Sequence, residues 1–199
     1  MRLVAIILVA VALYGAYGYI TSRPIDWPAG ELVADDPKQT NFEGAEPIPH
    51  ESFELLPRAR FSAEVRVLGH EQYRAGDLAD VSPLDLAVGW GPMSDSAVID
   101  ELDISQSNRF YYWHFDDEPP IPQREIVTHS SNWHLVPADD VVWHDLQRVR
   151  EGDIVTLEGL LIDIKNSNGQ VIRTSLRRND TGAGACEVVL VEKVSYRYH

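Results

Sequence analysis

Residues 60–68, RFSAEVRVL, set Phe61, Ala63, Val65 and Val67 against Ser62, Glu64 and Arg66. A period of two predicts a strand with one buried face. A second strand is expected over 109–115, with Phe110, Tyr112 and His114 on one side and Tyr111, Trp113 and Phe115 on the other. Aromatic rings suit a pleated, half-buried surface. Residues 154–164 read as a long strand. Asn168 and Gly169 then mark a hairpin turn, because both accept positive φ, and 170–176 brings the chain back. Residues 186–194 are expected as the last strand.

Ser82 and Pro83 read as a helix start, cap and first turn, with Leu84, Leu86, Ala87 and Val88 as its apolar stripe. Ser94 or Asp95 caps a further short helix through Leu102, and 137–140 opens one carrying Val141, Val142, Leu146 and Val149. Periodicity leaves 124–128 and 133–136 open between strand and turn. The expected fold is mainly β (α+β): a small antiparallel sheet or partly open barrel with short helices between strands.

One run breaks the pattern of alternating faces. Residues 3–20, LVAIILVAVALYGAYGYI, carry no charge. A helix of that length nearly spans a hydrocarbon core of ~30 Å. Arg2 precedes it, and Asp26, Glu31, Asp35 and Asp36 follow. The segment is therefore expected to be one uncleaved N-terminal transmembrane anchor, residues 1–22, with the N-terminus inside. The domain then faces the periplasm or outside of a bacterial inner (cytoplasmic) membrane. Residues 23–57 hold Pro24, Pro28, Pro37, Pro47, Pro49 and Pro57 and read as an extended acidic tether, with Trp27, Phe42 and Phe53 available to dock it. The β-rich domain is expected over 58–199, long enough for a real core.

The formal net charge of −14 disfavours phosphate backbones, so no nucleic-acid partner is expected. The basic clusters are Arg148/Arg150 and Arg173/Arg177/Arg178. Arg177 and Arg178 open a glycine-bearing loop that can hold an anion in a backbone nest. Cys186 is the only cysteine, which excludes an internal disulfide, and burial is the simpler expectation for it.

The densest chemistry lies in 110–134, which holds His114, His129, His134, Asp116, Asp117 and Glu118. His129 and His134 are five apart, so neither strand nor helix sets them side by side as a metal pair. A metal ion is admitted only if a loop brings His114, His129, His134 and Asp116 together. No other cofactor is expected. Ser130 and Ser131 lack the G-x-S-x-G turn of a nucleophile elbow.

The stretches GWGPMSD (89–95), ISQSNRFYYW (104–113) and THSSNWHLVPADD (128–140), with VREGDIVTLEG, resemble a group of uncharacterised bacterial exported or membrane-anchored proteins. That resemblance implies an envelope location and no activity. The layout of anchor, β-rich domain, histidine, Gly-Asp turn and late cysteine is also similar to sortases, the cysteine transpeptidases of cell surfaces. It implies His129 as base and Cys186 as nucleophile. Cys186 follows TGAGA, where that family has a Thr-Leu-x-Thr type strand, and only Arg197 follows it.

The sequence thus favours a binding or assembly module that contacts another envelope protein or a wall component. An enzyme using Cys186 with His129 or His134 is the alternative. It requires Cys186 near the surface beside an imidazole, and an open groove with converging polar groups.

Overall fold

The computed structural model describes residues 15, 23–76, 78–177 and 185–197. The expected membrane segment therefore lies outside the described residues, Gly15 excepted. No helix among the described residues is long and apolar enough to cross a membrane.

The chain is mainly β. Its strands are β1 (Lys38–Asn41), β2 (Ile48–His50), β3 (Phe53–Gln72), β4 (Leu84–Gly89), β5 (Asp103–Ser107), β6 (Phe110–His114), β7 (Ser130–Pro137), β8 (Ile154–Lys165), β9 (Val171–Ile172) and β10 (Glu187–Tyr196). A 3-10 turn spans Gly91–Ser94, and three short helices follow: α1 (Ser96–Ile99), α2 (Gln123–Thr128) and α3 (Asp140–Leu146).

The pairings run β3–β4–β7–β10–β8 and return to β3. Only β7 and β10 run parallel in this circuit; the other pairs are antiparallel. Numbered along the chain, these five strands follow the order 1-2-3-5-4, a mixed sheet curled into a partly open barrel. The expectation of a partly open barrel holds for a physical reason. β3 gives residues 54–66 to β8 and 66–72 to β4, so each partner takes one end of it. Register shifts near residues 58 and 68 bend β3 between its partners.

Inward side chains alternate as the period of two requires. Phe61, Ala63, Val65 and Val67 meet Leu84, Leu86, Val88, Trp133, Leu135, Val155, Leu157, Val189 and Val191 in the main core. Phe61 stands edge-on to Trp133 at 5.1 Å, and Trp90 stacks on Trp133 at 6.4 Å. Helix α3 lies between β7 and β8, capped by Asp139 through Val142 N at 2.8 Å, and lends Val142 and Leu146 to the same core.

Two expectations change. Residues 84–88 form a strand, not a helix. All six residues of β4 are buried, because its outer face is covered as well. A continuous buried run carries no period that separates strand from helix. Residues 23–57 are not a free tether. Ile25 N donates to Glu151 O, Trp27 Nε1 to Gly152 O, Leu32 and Val33 N to Ser94 Oγ, and Gly91 N to Val33 O. β1 and β2 then pair with β3. The prolines exclude long regular elements without preventing this edge-on docking, which Trp27, Phe42 and Phe53 reinforce by packing.

Candidate active site

The outer face of β4, β7 and β10 carries the polar cluster. Because Leu84, Leu86, Trp133 and Leu135 point inward, Asp85, Asn132 and His134 point outward. Asp85 and His134 are direct cross-strand partners, as are Ala87 and Asn132. On the parallel side Val188 pairs with His134, which places Cys186, two residues earlier and on the same face, beside His134 and Asn132.

The hairpin β5–β6 folds over this face. Its two turn residues, Asn108 (φ 52°) and Arg109 (φ 70°), are both left-handed, the geometry of a tight type I′ turn. An L-residue such as arginine pays roughly 1 kcal/mol for this conformation. The turn delivers the Arg109 guanidinium to Asp85 Oδ1 at 2.8 Å and to Ser82 O at 2.8 Å, with its carbon 3.6 Å above the Tyr73 ring. Asn132 Nδ2 donates to Asp85 Oδ2 at 3.2 Å and to Arg109 O at 3.1 Å, and Gln106 Nε2 donates to Asn132 Oδ1 at 2.7 Å.

The Asp85 carboxylate is fully buried. Nδ1 of His134 lies 2.9 Å from Asp85 Oδ1. Burial pushes the His134 imidazole down, but its pairing with Asp85 and Cys186 outweighs this and raises the pKa to about 9. Asp85 Oδ1 thus faces both the Arg109 guanidinium and the His134 imidazole.

Cys186 is half-buried rather than buried, because it stands before β10 begins, at the mouth of a cleft. The cleft, about 270 Å³, is lined by Phe110, Tyr111, Tyr112, Trp113, Val127, Ser130, Ser131, Asn132, Ala185 and Cys186. Burial pushes the Tyr111 phenol up to about 12, so it stays a neutral donor, reaching Ser130 Oγ at 3.3 Å.

The other expected residues lie elsewhere. His129 closes α2; its ring packs on Gly91 and Trp90, and Nδ1 lies 3.0 Å from Glu125 O and 3.2 Å from the Glu125 carboxylate. The imidazole that partners Cys186 is therefore that of His134, not His129. His114 is exposed on β6 against Phe115, and Asp116 is exposed in the loop beyond it. Among the described residues no three His, Cys, Asp or Glu side chains form a metal-binding group, so His114, His129, His134 and Asp116 do not converge. Arg177 is exposed, with its N–H on Ser175 Oγ. Arg178 and the loop glycines lie outside the described residues.

Asp85 and Arg109 were not singled out from sequence. Their only local signal is an acid inside an apolar run and a cation where a turn favours glycine. No protein-family model matches the chain, and no curated protein or solved structure is significantly similar to it.

Proposed function

We propose that this chain is a membrane-anchored, envelope-facing protein whose barrel carries out thiol-dependent acyl transfer or hydrolysis at Cys186. The observation that carries this reading is the alignment of Cys186, His134 and Asp85 at the mouth of an aromatic cleft. Nucleophile, base and orienting carboxylate are the parts such chemistry needs. The uncharged run 3–20 supports the anchor, and the layout shared with sortases supports the reaction class, with His134 taking the place expected for His129.

Cys186 Sγ attacks the acyl carbonyl carbon and forms a C–S bond. The bond from that carbon to the leaving group breaks as His134 gives the leaving group a proton. Water or an amine then attacks the thioester, His134 takes its proton, and the thiolate is released. Asp85 holds the imidazole by Nδ1 and leaves Nε2 for these transfers.

p-Nitrophenyl acetate tests the reading on the full chain. Mass spectrometry is expected to find one acetyl group on Cys186, formed quickly in the native protein, slowly in His134→Ala and not at all in Cys186→Ser. Equal acetylation in native protein and His134→Ala contradicts it.

A second reading, a non-catalytic module for an envelope partner, is supported by Phe110 and Tyr112. These rings are 38% and 49% exposed and lie 6.4 Å apart at the cleft edge.

A further inference from the structure

The cleft is lined by four consecutive residues of β6, Phe110 to Trp113. A strand's face cannot do this, because alternate side chains point apart. The cleft therefore runs along the edge of β6. In a two-residue hairpin the pair flanking the turn, Ser107 and Phe110, exchanges hydrogen bonds, and so does every second pair after it. The N–H and C=O groups of Phe110, Tyr112 and His114 thus face β5. Those of Tyr111 and Trp113 face the other way, into the cleft. Among the described residues β6 pairs with β5 alone.

The side chains on this hairpin divide in the same rhythm. Tyr111 and Trp113 pack inward against the third core cluster, while Phe110 and Tyr112 stay exposed. The edge is therefore anchored by two packed rings, and Cys186 lines the same cleft. Beyond β6 comes the exposed acidic run Asp116, Asp117 and Glu118, on a chain of net charge −14. Electrostatic complementarity favours a basic occupant and repels an acidic one.

We infer that the edge of β6 captures an extended, basic peptide segment by strand addition, laying its backbone along Tyr111 and Trp113 and past Cys186. Main-chain bonds supply the affinity, and alternate side chains reach Phe110 and Tyr112 on one face and Ser130 and Asn132 on the other. The peptide is the substrate class for the acyl chemistry proposed above, and in that sense this inference rests on that reading.

Binding is measured on the full chain carrying Cys186→Ser, so that no reaction intervenes. The probes are a capped octapeptide of alternating Val and Lys, its Val/Glu counterpart, and the Val/Lys peptide N-methylated at alternate residues. Amide exchange at Tyr111 and Trp113 is the readout. The Val/Lys peptide is expected to slow exchange at both amides by about tenfold or more, with the Val/Glu and N-methylated peptides at least about tenfold weaker binders. Unchanged exchange at saturating Val/Lys peptide, or equal binding of the N-methylated form, overturns the inference. Acetylation of Cys186 without peptide binding sinks this inference alone. Peptide binding without acetylation sinks the acyl chemistry alone.

Discussion

Asp85 and His134 face each other across β4 and β7 as direct Cα partners, with Nδ1 of the ring 2.9 Å from a carboxylate that has no contact with solvent. The imidazole itself is only 12% exposed. A proton held this tightly in the folded chain and loosely in the unfolded one ties stability to pH.

The His134 pKa rises from 6.5 to about 9 on folding. Its contribution is fully present below pH 6.5 and disappears as pH climbs through about 9. At most it amounts to ~3 kcal/mol, at 1.36 kcal/mol per unit. Urea unfolding at pH 6.5 and pH 9.5 is expected to show the native chain losing more stability than His134→Gln. His70, whose pKa burial lowers, is neutral in both states across most of this window and does not obscure the trend. Parallel losses in the two proteins would rule the linkage out.

Asp85→Asn keeps the shape of the site and removes its anionic member. The His134 titration midpoint, followed by NMR, is expected to fall below about 9. A midpoint that stays in place would mean that Asp85 does not hold the proton.

Arg109→Ala leaves the buried Asp85 carboxylate with the His134 imidazole but without its guanidinium. Breaking such a pair costs about 3 kcal/mol, and alanine in the left-handed turn brings no relief of strain. Nη1 donates to both Asp85 and Ser82 O, and Arg109→Lys keeps a charge on a shorter, differently shaped chain, so an intermediate loss is expected. Thermal melts of the two variants rank them; equal stability with the native chain would contradict the role assigned to Arg109.

Ser94 Oγ accepts from the N–H groups of both Leu32 and Val33. Ser94→Ala leaves these donors unmatched and is expected to cost about 2 kcal/mol. It loosens the segment that crosses Gly152, where an added Cβ would stand 2.2 Å from Ile25 O. Limited proteolysis then cuts between residues 23 and 36 faster than in the native chain. An unchanged cleavage rate would argue that the segment is held by Trp27 and Val33 packing alone.

Legibility from sequence followed the local physics. The alternation over 60–68 was readable because β3 buries one face there, and the turn after 165 because it needs positive φ at Gly169, though not at Asn168. Residues 84–88 misled because β4 is buried on both faces and so has no period. The site was the least legible part. Its members come from two strands, a turn and the residue leading into β10, and the register that sets Asp85 against His134 and brings Cys186 alongside is a property of the barrel circuit, not of any window of sequence. His129 and His134 look equivalent in the chain. One ends a helix and the other sits mid-strand, and that difference decides which of them meets the thiol.

The central claim is that His134 activates Cys186. The direct test is iodoacetamide labelling of the full chain across a pH series, for the native protein, His134→Ala and His129→Ala, with tryptophan fluorescence reporting that each stays folded. Fast labelling at neutral pH is predicted, slowed by about tenfold or more in His134→Ala and unchanged in His129→Ala. Labelling that appears only on unfolding, or that is indifferent to His134, would contradict it.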